Sequence, residues 1–355
     1  MINQLFDVLK VIQFELAVLF VVFFVISFFW KKIYTSLSLK SYQSKQRLHQ
    51  DEVPRIGGLI IYLFLTITAL FVLDSHLLNV ILMSAIPIIF IGAKEDLFHN
   101  TSPKLRLIFM ILSASLFIYL LPTKLPEIDF PLLNQVLSFS ILKEIFFIFS
   151  ILVIINGNNL IDGVNGNMAL TNIVQLSVLF LLAFTIDDRN IAEVCLILMI
   201  PLFIFLIFNF PFGKIFSGDA GAYFYGLGIS SSVIYLFGKY DQFLSWNAVL
   251  ILIYPSIELL FSFVRKKLIE KKSPFIADAK HLHSLIFKYL KKRNPVFNNS
   301  VVAIYILPFI IAPFVTILFH QYISVTIMTI ILLFIIYSLM YLFFFKKLFL
   351  DNEKS

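Results

Sequence analysis

The sequence predicts an all-α polytopic membrane protein of about eleven transmembrane helices, N-terminus outside and C-terminus cytoplasmic. Three observations predict it. The chain is 60% hydrophobic and only 14% charged over 355 residues, whereas soluble domains carry roughly 25% charged residues. Apolar runs of about 20 residues, enough to cross a bilayer as a helix, follow one another along nearly the whole chain. The Lys and Arg residues then fall in alternate connections between those runs, the signature of a cytoplasmic face.

The runs lie near residues 11–30, 56–73, 77–93, 104–121, 141–157, 168–186, 191–209, 221–238, 246–264, 300–319 and 323–345. The apolar signal is weakest at 77–93 and 221–238. No small-residue cleavage site follows the first run, so it reads as a retained helix and not as a signal peptide. Little length is left for a soluble domain, and no internal repeat is visible. A single integral membrane domain, 1–355, is expected. Cys195 sits inside an apolar run, where it reads as a small buried side chain.

Charge position sets the expected topology. One set of connections holds Lys31, Lys32, Lys40, Lys45, Arg47, Arg55, Lys94, Lys104, Arg106 and Lys214. It continues with a dense group from Arg265 to Arg293 and ends at Lys346, Lys347 and Lys354. Of the 28 basic residues, only Lys10, Lys124, Lys143, Arg189 and Lys239 remain for the other face. The net charge of +7 therefore reports orientation in a lipid bilayer first and a phosphate-attracting surface second. It gives no reason to expect nucleic acid.

Five segments combine Gly, Asn, Asp and His in ways that a lipid-facing helix would not tolerate. They are VPRIGG (53–58), GAKEDLFHNTSPKLRL (92–107), NGNNLIDGVNG (156–166), PFGKIFSGDAG (211–221) and SPFIADAKHLHS (273–284). All fall on the expected cytoplasmic side, so connections 31–55, 94–104, 156–167, 210–220 and 265–299 are expected to form one site.

Glu95 and Asp96 are adjacent acids, whose mutual repulsion favours a shared cation or proton. Ordinary solvated helix-end acids are the plain alternative. NGNNLIDGVNG interrupts an apolar run with amide oxygens suited to a hard cation or a nucleobase edge, and Asp162 adds negative charge. Asp219 lies between Gly218 and Gly221 ahead of a helix, where it could cap that helix or ligate a metal. His281 and His283, with Lys280 and Asp278, lack the partners of a zinc site and suit an anionic phosphate, or simply a basic loop.

In order, PRxGG, an acidic pair, NxxNxxDGxxG, GDxG and DxxHxH resemble the polyprenyl-phosphate N-acetylhexosamine-1-phosphate transferases of glycosyltransferase family 4. Bacterial transferases that begin O-antigen or capsule-type polysaccharides look more similar than the peptidoglycan branch. The resemblance implies transfer of sugar 1-phosphate from a UDP-N-acetylhexosamine to undecaprenyl phosphate at the inner membrane, with release of UMP. It implies Mg²⁺, with Mn²⁺ as a substitute. It places Asp219 and Asn159 on the metal and Asp96, beside Glu95, near the lipid phosphate. Asp162 joins these acids as a catalytic candidate. Asn165 would meet uracil, and Lys104, His281 and His283 would meet phosphate oxygens, with Arg55 and Lys280 as further substrate contacts. Two positions depart from the family pattern: Glu95 stands where Asp is usual, and Ser284 where a third His is frequent.

A transporter or flippase of lipid-linked sugars would place its polar residues near the bilayer midplane. Here Glu15, Glu144, Glu193 and Glu258 are the main charges inside the runs. An inactive assembly scaffold is the other alternative. The sequence leaves open which hexosamine is used and whether the chain forms a homodimer.

Overall fold

The computed structural model describes residues 2–36, 53–273, 278–294 and 298–349. Lys40, Lys45, Arg47 and Lys354 lie outside the described residues, as does the 274–277 part of the histidine-bearing segment. Within them no strand occurs. The helices are α1 (Ile2–Ser36), α2 (Gly57–Phe71), α3 (His76–Phe98), α4 (Pro103–Leu120), α5 (Pro131–Val136), α6 (Ser140–Ile161), α7 (Asn167–Thr185) and α8 (Arg189–Asn209). They continue with α9 (Gly218–Lys239), α10 (Ser245–Ile251), α11 (Ile253–Val264), α12 (Leu282–Arg293), α13 (Val302–Ile311), α14 (Val315–Phe319) and α15 (Ile323–Phe349).

Every expected apolar run is helical, but the count of full straight spans is lower than eleven. Among the described residues, nine helices are long and apolar enough to cross a bilayer. A tenth span exists if α10 and α11, bent by 78°, are taken together. The remaining run, α2, has only 15 residues. At the α10–α11 break, the Ile251 carbonyl accepts a hydrogen bond from Gln175 Nε2 at 3.0 Å. A side chain thus satisfies a backbone group at the bend, which is what lets a helix break at membrane depth.

The centre of the bundle is α9. Residues 218–238 are all buried, with α2, α3, α6, α7 and α8 around them. This explains its weak apolar signal: a helix sheathed in protein does not need lipid-facing side chains, and its Ser230, Ser231 and Ser232 are buried without cost to a lipid interface. The other weak run, α3, is likewise mostly inward, with 61% of its span buried.

Small residues let these helices close on one another. A Cβ added at Gly58 would lie 1.9 Å from the Gly221 Cα, so α2 and α9 touch backbone to backbone. Just before α2, the chain is tied to the turn ahead of α9. Phe216 N donates to Pro54 O at 2.8 Å, Gly57 N to Phe216 O at 3.0 Å and Gly58 N to Ser217 O at 2.9 Å.

Both ends of α9 are pinned by carboxylates from other elements. At its C-terminal end, buried Asp188 accepts from Lys239 Nζ at 2.6 Å and from the Tyr240 hydroxyl at 2.7 Å. Its other oxygen caps α8 through Asn190 N and Ile191 N. Replacing Asp188 by Ala removes the cap, typically about 0.5–2 kcal/mol, and strands Lys239. The variant is expected to unfold at a lower temperature than the parent, measured by thermal denaturation in matched detergent.

Candidate functional site

Asp219 opens α9, and its side chain is 8% exposed. Four donors converge on it. Arg55 Nη2 reaches Oδ1 at 3.1 Å and Asn159 Nδ2 reaches the same oxygen at 3.3 Å. Arg106 Nη1 reaches Oδ2 at 3.0 Å, and the Tyr223 hydroxyl donates to it at 2.9 Å. Arg55 is shared with the Asp96 carboxylate, so the two guanidinium groups are matched by two buried carboxylates. Each Arg has five N–H donors, so it can keep some on protein and present others to an anion with several oxygens.

The acidic pair divides. Asp96 is buried and takes both its hydrogen bonds from the start of α9: Asp219 N at 2.9 Å and Ala220 N at 3.0 Å. Arg55 Nε lies 3.5 Å from the same carboxylate. A negative charge at the first amides of a helix is favourable, so Asp96 anchors α9 under Asp219. Glu95 instead turns to the loop ahead of α4, where Thr101 donates to it from backbone and side chain. The expectation of a cation or proton shared between the two acids is therefore corrected. Successive helical residues point about 100° apart, and here one points into the bundle and the other along its surface.

The 156–167 segment supplies α6's last turns and the turn into α7. Ser217 Oγ donates to Asp162 Oδ2 at 2.5 Å, which brings this loop to the root of α9. Packing around Asp162 raises its carboxyl to about 7, chiefly through burial. Asn165 is 4% exposed and donates to Pro211 O at 2.9 Å. It ties the loop to the turn at 211–213 through Nδ2, while its Oδ1 has no hydrogen-bond partner. Gly163 faces His283, and a Cβ there would lie 2.2 Å from His283 Nε2.

His281 and His283 stack with ring centroids 5.7 Å apart and planes 4° from parallel. His281 Nδ1 lies 3.0 Å from Glu258 Oε1. His283 is 2% exposed, and burial lowers its pKa to about 4. At neutral pH it is an uncharged ring, which can meet a phosphate only as an N–H donor. Lys280 Nζ is held by Glu270 at 2.9 Å. Lys104 is exposed at the start of α4.

The expected residues thus fall into two groups. Arg55, Asp96, Asn159, Asp162 and Asp219 meet at the root of α9, with the histidine pair packed on the far side of the Asp162 turn. Glu95, Lys104 and Lys280 stand outside that cluster. Arg106, Tyr223, Ser217 and Glu258 are not among the site residues expected from sequence. Tyr223 follows Asp219 by four residues and so shares its helix face. Arg106 is separated from Lys104 by about 200° around α4, so only one of the two can face inward.

No group of three or more His, Cys, Asp or Glu side chains gathers into a metal site among the described residues. The donors present at the α9 root are the carboxylates of Asp219 and Asp162 and the amide of Asn159, all hard oxygen chemistry. Mg²⁺ is commonly held by one or two carboxylates together with water and substrate phosphates. The residues fit that cation, and they do not fit zinc.

The family model described as glycosyl transferase family 4 matches residues 78–237, from α3 through α9. A probable undecaprenyl-phosphate N-acetylglucosaminyl 1-phosphate transferase of Bacillus subtilis is 27% identical over 287 residues, 79% of this chain and 77% of its own. An undecaprenyl-phosphate alpha-N-acetylglucosaminyl 1-phosphate transferase of Thermotoga maritima is 28% identical over 273 residues, 76% of this chain and 81% of its own. A phospho-N-acetylmuramoyl-pentapeptide-transferase of Clostridium perfringens is 27% identical over a shorter stretch of 190 residues, 50% of this chain and 59% of its own.

Proposed function

We propose that this chain belongs to glycosyl transferase family 4 and transfers an N-acetylhexosamine 1-phosphate from its UDP-sugar to undecaprenyl phosphate. An oxygen of the lipid phosphate attacks the sugar-bearing phosphorus, the bond to UMP breaks, and a sugar on a lipid diphosphate remains. The observation that carries this reading is the pair of guanidinium groups, Arg55 and Arg106, converging with Asn159 and Tyr223 on Asp219.

One phosphate attacking another must overcome charge repulsion, so the site has to neutralise charge as the bond forms. Arg55 and Arg106 supply fixed cations. Asp219, Asp162 and Asn159 would hold Mg²⁺, or Mn²⁺ in its place, and the bound metal would add charge neutralisation at the diphosphate. Asp96 keeps the first turn of α9 in position beneath these groups. The lipid phosphate is already anionic at neutral pH, so no residue has to act as its base.

Lys and Arg asymmetry supports a cytoplasmic site, with the N-terminus outside and the chain in the bacterial inner membrane. The matched relatives support N-acetylglucosamine as the sugar; the start of a cell-surface polysaccharide is the step we read for it. The charges inside the spans do not outline a translocation path. Glu193 pairs with its own-helix neighbour Arg189, and Glu258 joins the histidine pair.

The test is release of UMP by the purified chain in nanodiscs, across a panel of UDP-sugars, with and without undecaprenyl phosphate. UMP is expected only when the lipid is present. Its absence with every sugar, or its release without lipid, would overturn the reading. Chelator is expected to stop turnover and added Mg²⁺ or Mn²⁺ to restore it; full turnover in chelator removes the metal from the scheme.

A further inference from the structure

Glu258 is a carboxylate with 0% exposure in the middle of α11, an apolar helix. Burying such a charge is expensive unless it is paired and hydrogen-bonded. Its Oε1 receives two donors from one short stretch of chain: His281 Nδ1 at 3.0 Å and Leu282 N at 3.3 Å. Leu282 is the first residue of α12, so the carboxylate also sits at that helix's positive end. An acceptor at Nδ1 puts the proton on Nδ1.

The other edge of the ring is bounded too. His281 Nε2 lies 3.7 Å from Asp278 Oδ1, and Asp278 is itself held by Arg265 Nη1 at 2.9 Å. The ring therefore has a fixed plane, and His283 stacks parallel to it. His283 in turn presses on Gly163, where there is no room for a methyl group. The residue before Gly163 is Asp162, bonded to Ser217 at the root of α9. An unbroken line of contacts runs from α11 to the carboxylates around which the two arginines gather.

We infer that Glu258 is a positioning residue of the transferase centre: it fixes the plane and tautomer of His281, and through the stacked His283 it sets the turn that carries Asp162. This rests on the transferase reading. An anchor for α12 alone would not require a charge, since buried ion pairs are commonly replaced by apolar groups of similar volume without loss of stability. A buried carboxylate does more for an imidazole: it fixes the tautomer and ring orientation and raises the ring's basicity.

The experiment uses the full chain in nanodiscs. Glu258→Gln keeps the volume and removes the charge. Its kcat for UMP release is expected to fall on the order of ten- to a hundredfold, as for other imidazoles that lose a carboxylate partner, with KM for the UDP-sugar little changed. Glu258→Asp should recover part of the rate. His281→Ala should lose activity as well, and the double variant should be no worse than the poorer single one, because the two act as one unit. NMR of ¹⁵N-histidine-labelled protein supplies a readout independent of turnover. The His281 Nδ1–H signal, identified by its absence in His281→Ala, should shift in Glu258→Gln.

An active parent with normal kcat in Glu258→Gln, fully additive losses in the double variant, or an unmoved Nδ1–H signal would each overturn the inference. If Glu258→Gln does not fold, Glu258→Asp carries the same kcat and NMR comparisons. If the parent itself releases no UMP from any UDP-sugar, the transferase reading fails and the catalytic role falls with it. The NMR comparison then decides separately whether Glu258 holds His281.

Discussion

Asp219→Asn is expected to reduce kcat for UMP release by about a hundred- to a thousandfold, the usual cost of removing one group that stabilises transition-state charge, about 2.7–4 kcal/mol. The substitution keeps the side chain's size and one acceptor oxygen. It removes the charge that draws Arg55, Arg106, Asn159 and Tyr223 together. Single-turnover UMP release in nanodiscs is the measurement, with thermal denaturation beside it to confirm folding. A near-parental rate from folded protein would remove Asp219 from the centre and with it the proposed metal position. Because the variant keeps both guanidinium groups and Arg106 loses its carboxylate partner, binding of the anionic UDP-sugar should persist while turnover fails.

Gly58→Ala is expected to have the largest structural effect. The new methyl would lie 1.9 Å from the Gly221 Cα and 2.8 Å from Ser217 O, both backbone atoms. Backbone cannot swing aside as a long side chain can, so α2 and α9 must separate. The cost should reach or exceed the upper end of about 1–3 kcal/mol typical of overpacking. Folded, monodisperse protein should be lost on size-exclusion chromatography. Gly228→Ala is the control, since its methyl would meet nothing nearer than 3.6 Å. It lies in the same helix and should remain folded and active, helped by the better helix propensity of Ala. If both variants behave alike, the close α2–α9 approach is not what the fold depends on.

The sequence shows the helical segments well, because spanning a bilayer imposes a length and a composition that nothing else in the chain has. It hides which segments lie inside the bundle, but leaves a trace: α9 and α3 are the runs with the weakest apolar signal and among the most protein-covered. The two departures from straight spans, α2 and the α10–α11 bend, depend on tertiary partners such as Gln175, which no local pattern announces. At the site, the motifs identify stretches of chain that meet in space, while helix rotation, which they do not show, decides which side chains within them come together. Lys104 and Arg106 look alike in sequence, yet helix rotation turns only Arg106 towards Asp219. Glu95 and Asp96 differ for the same reason. Asn165, in a motif rich in amides, donates from Nδ2 to Pro211 O and leaves its Oδ1 unpaired. Glu258 was visible as a charge in an apolar run, but its partner lies 23 residues away, beyond the reach of any local reading.

The shortness of α2 has a consequence for the surrounding lipid. Its 15 residues rise about 22 Å at 1.5 Å each, against a hydrocarbon core of about 30 Å. The chain leading into it from Pro54 bonds to the turn at Phe216 instead of continuing outward as helix. A bilayer meeting this side of the protein must thin, or let headgroups and water sink beside α2, for a fraction of a kcal/mol per ångström. Arg55 lies at that margin, with its side chain 40% exposed. A long polyprenyl tail tolerates such a dimple readily, being free to bend within it. The phosphate of a carrier lipid would then arrive at the depth of Asp219 by sliding in the membrane plane, with no step that lifts it out of the leaflet.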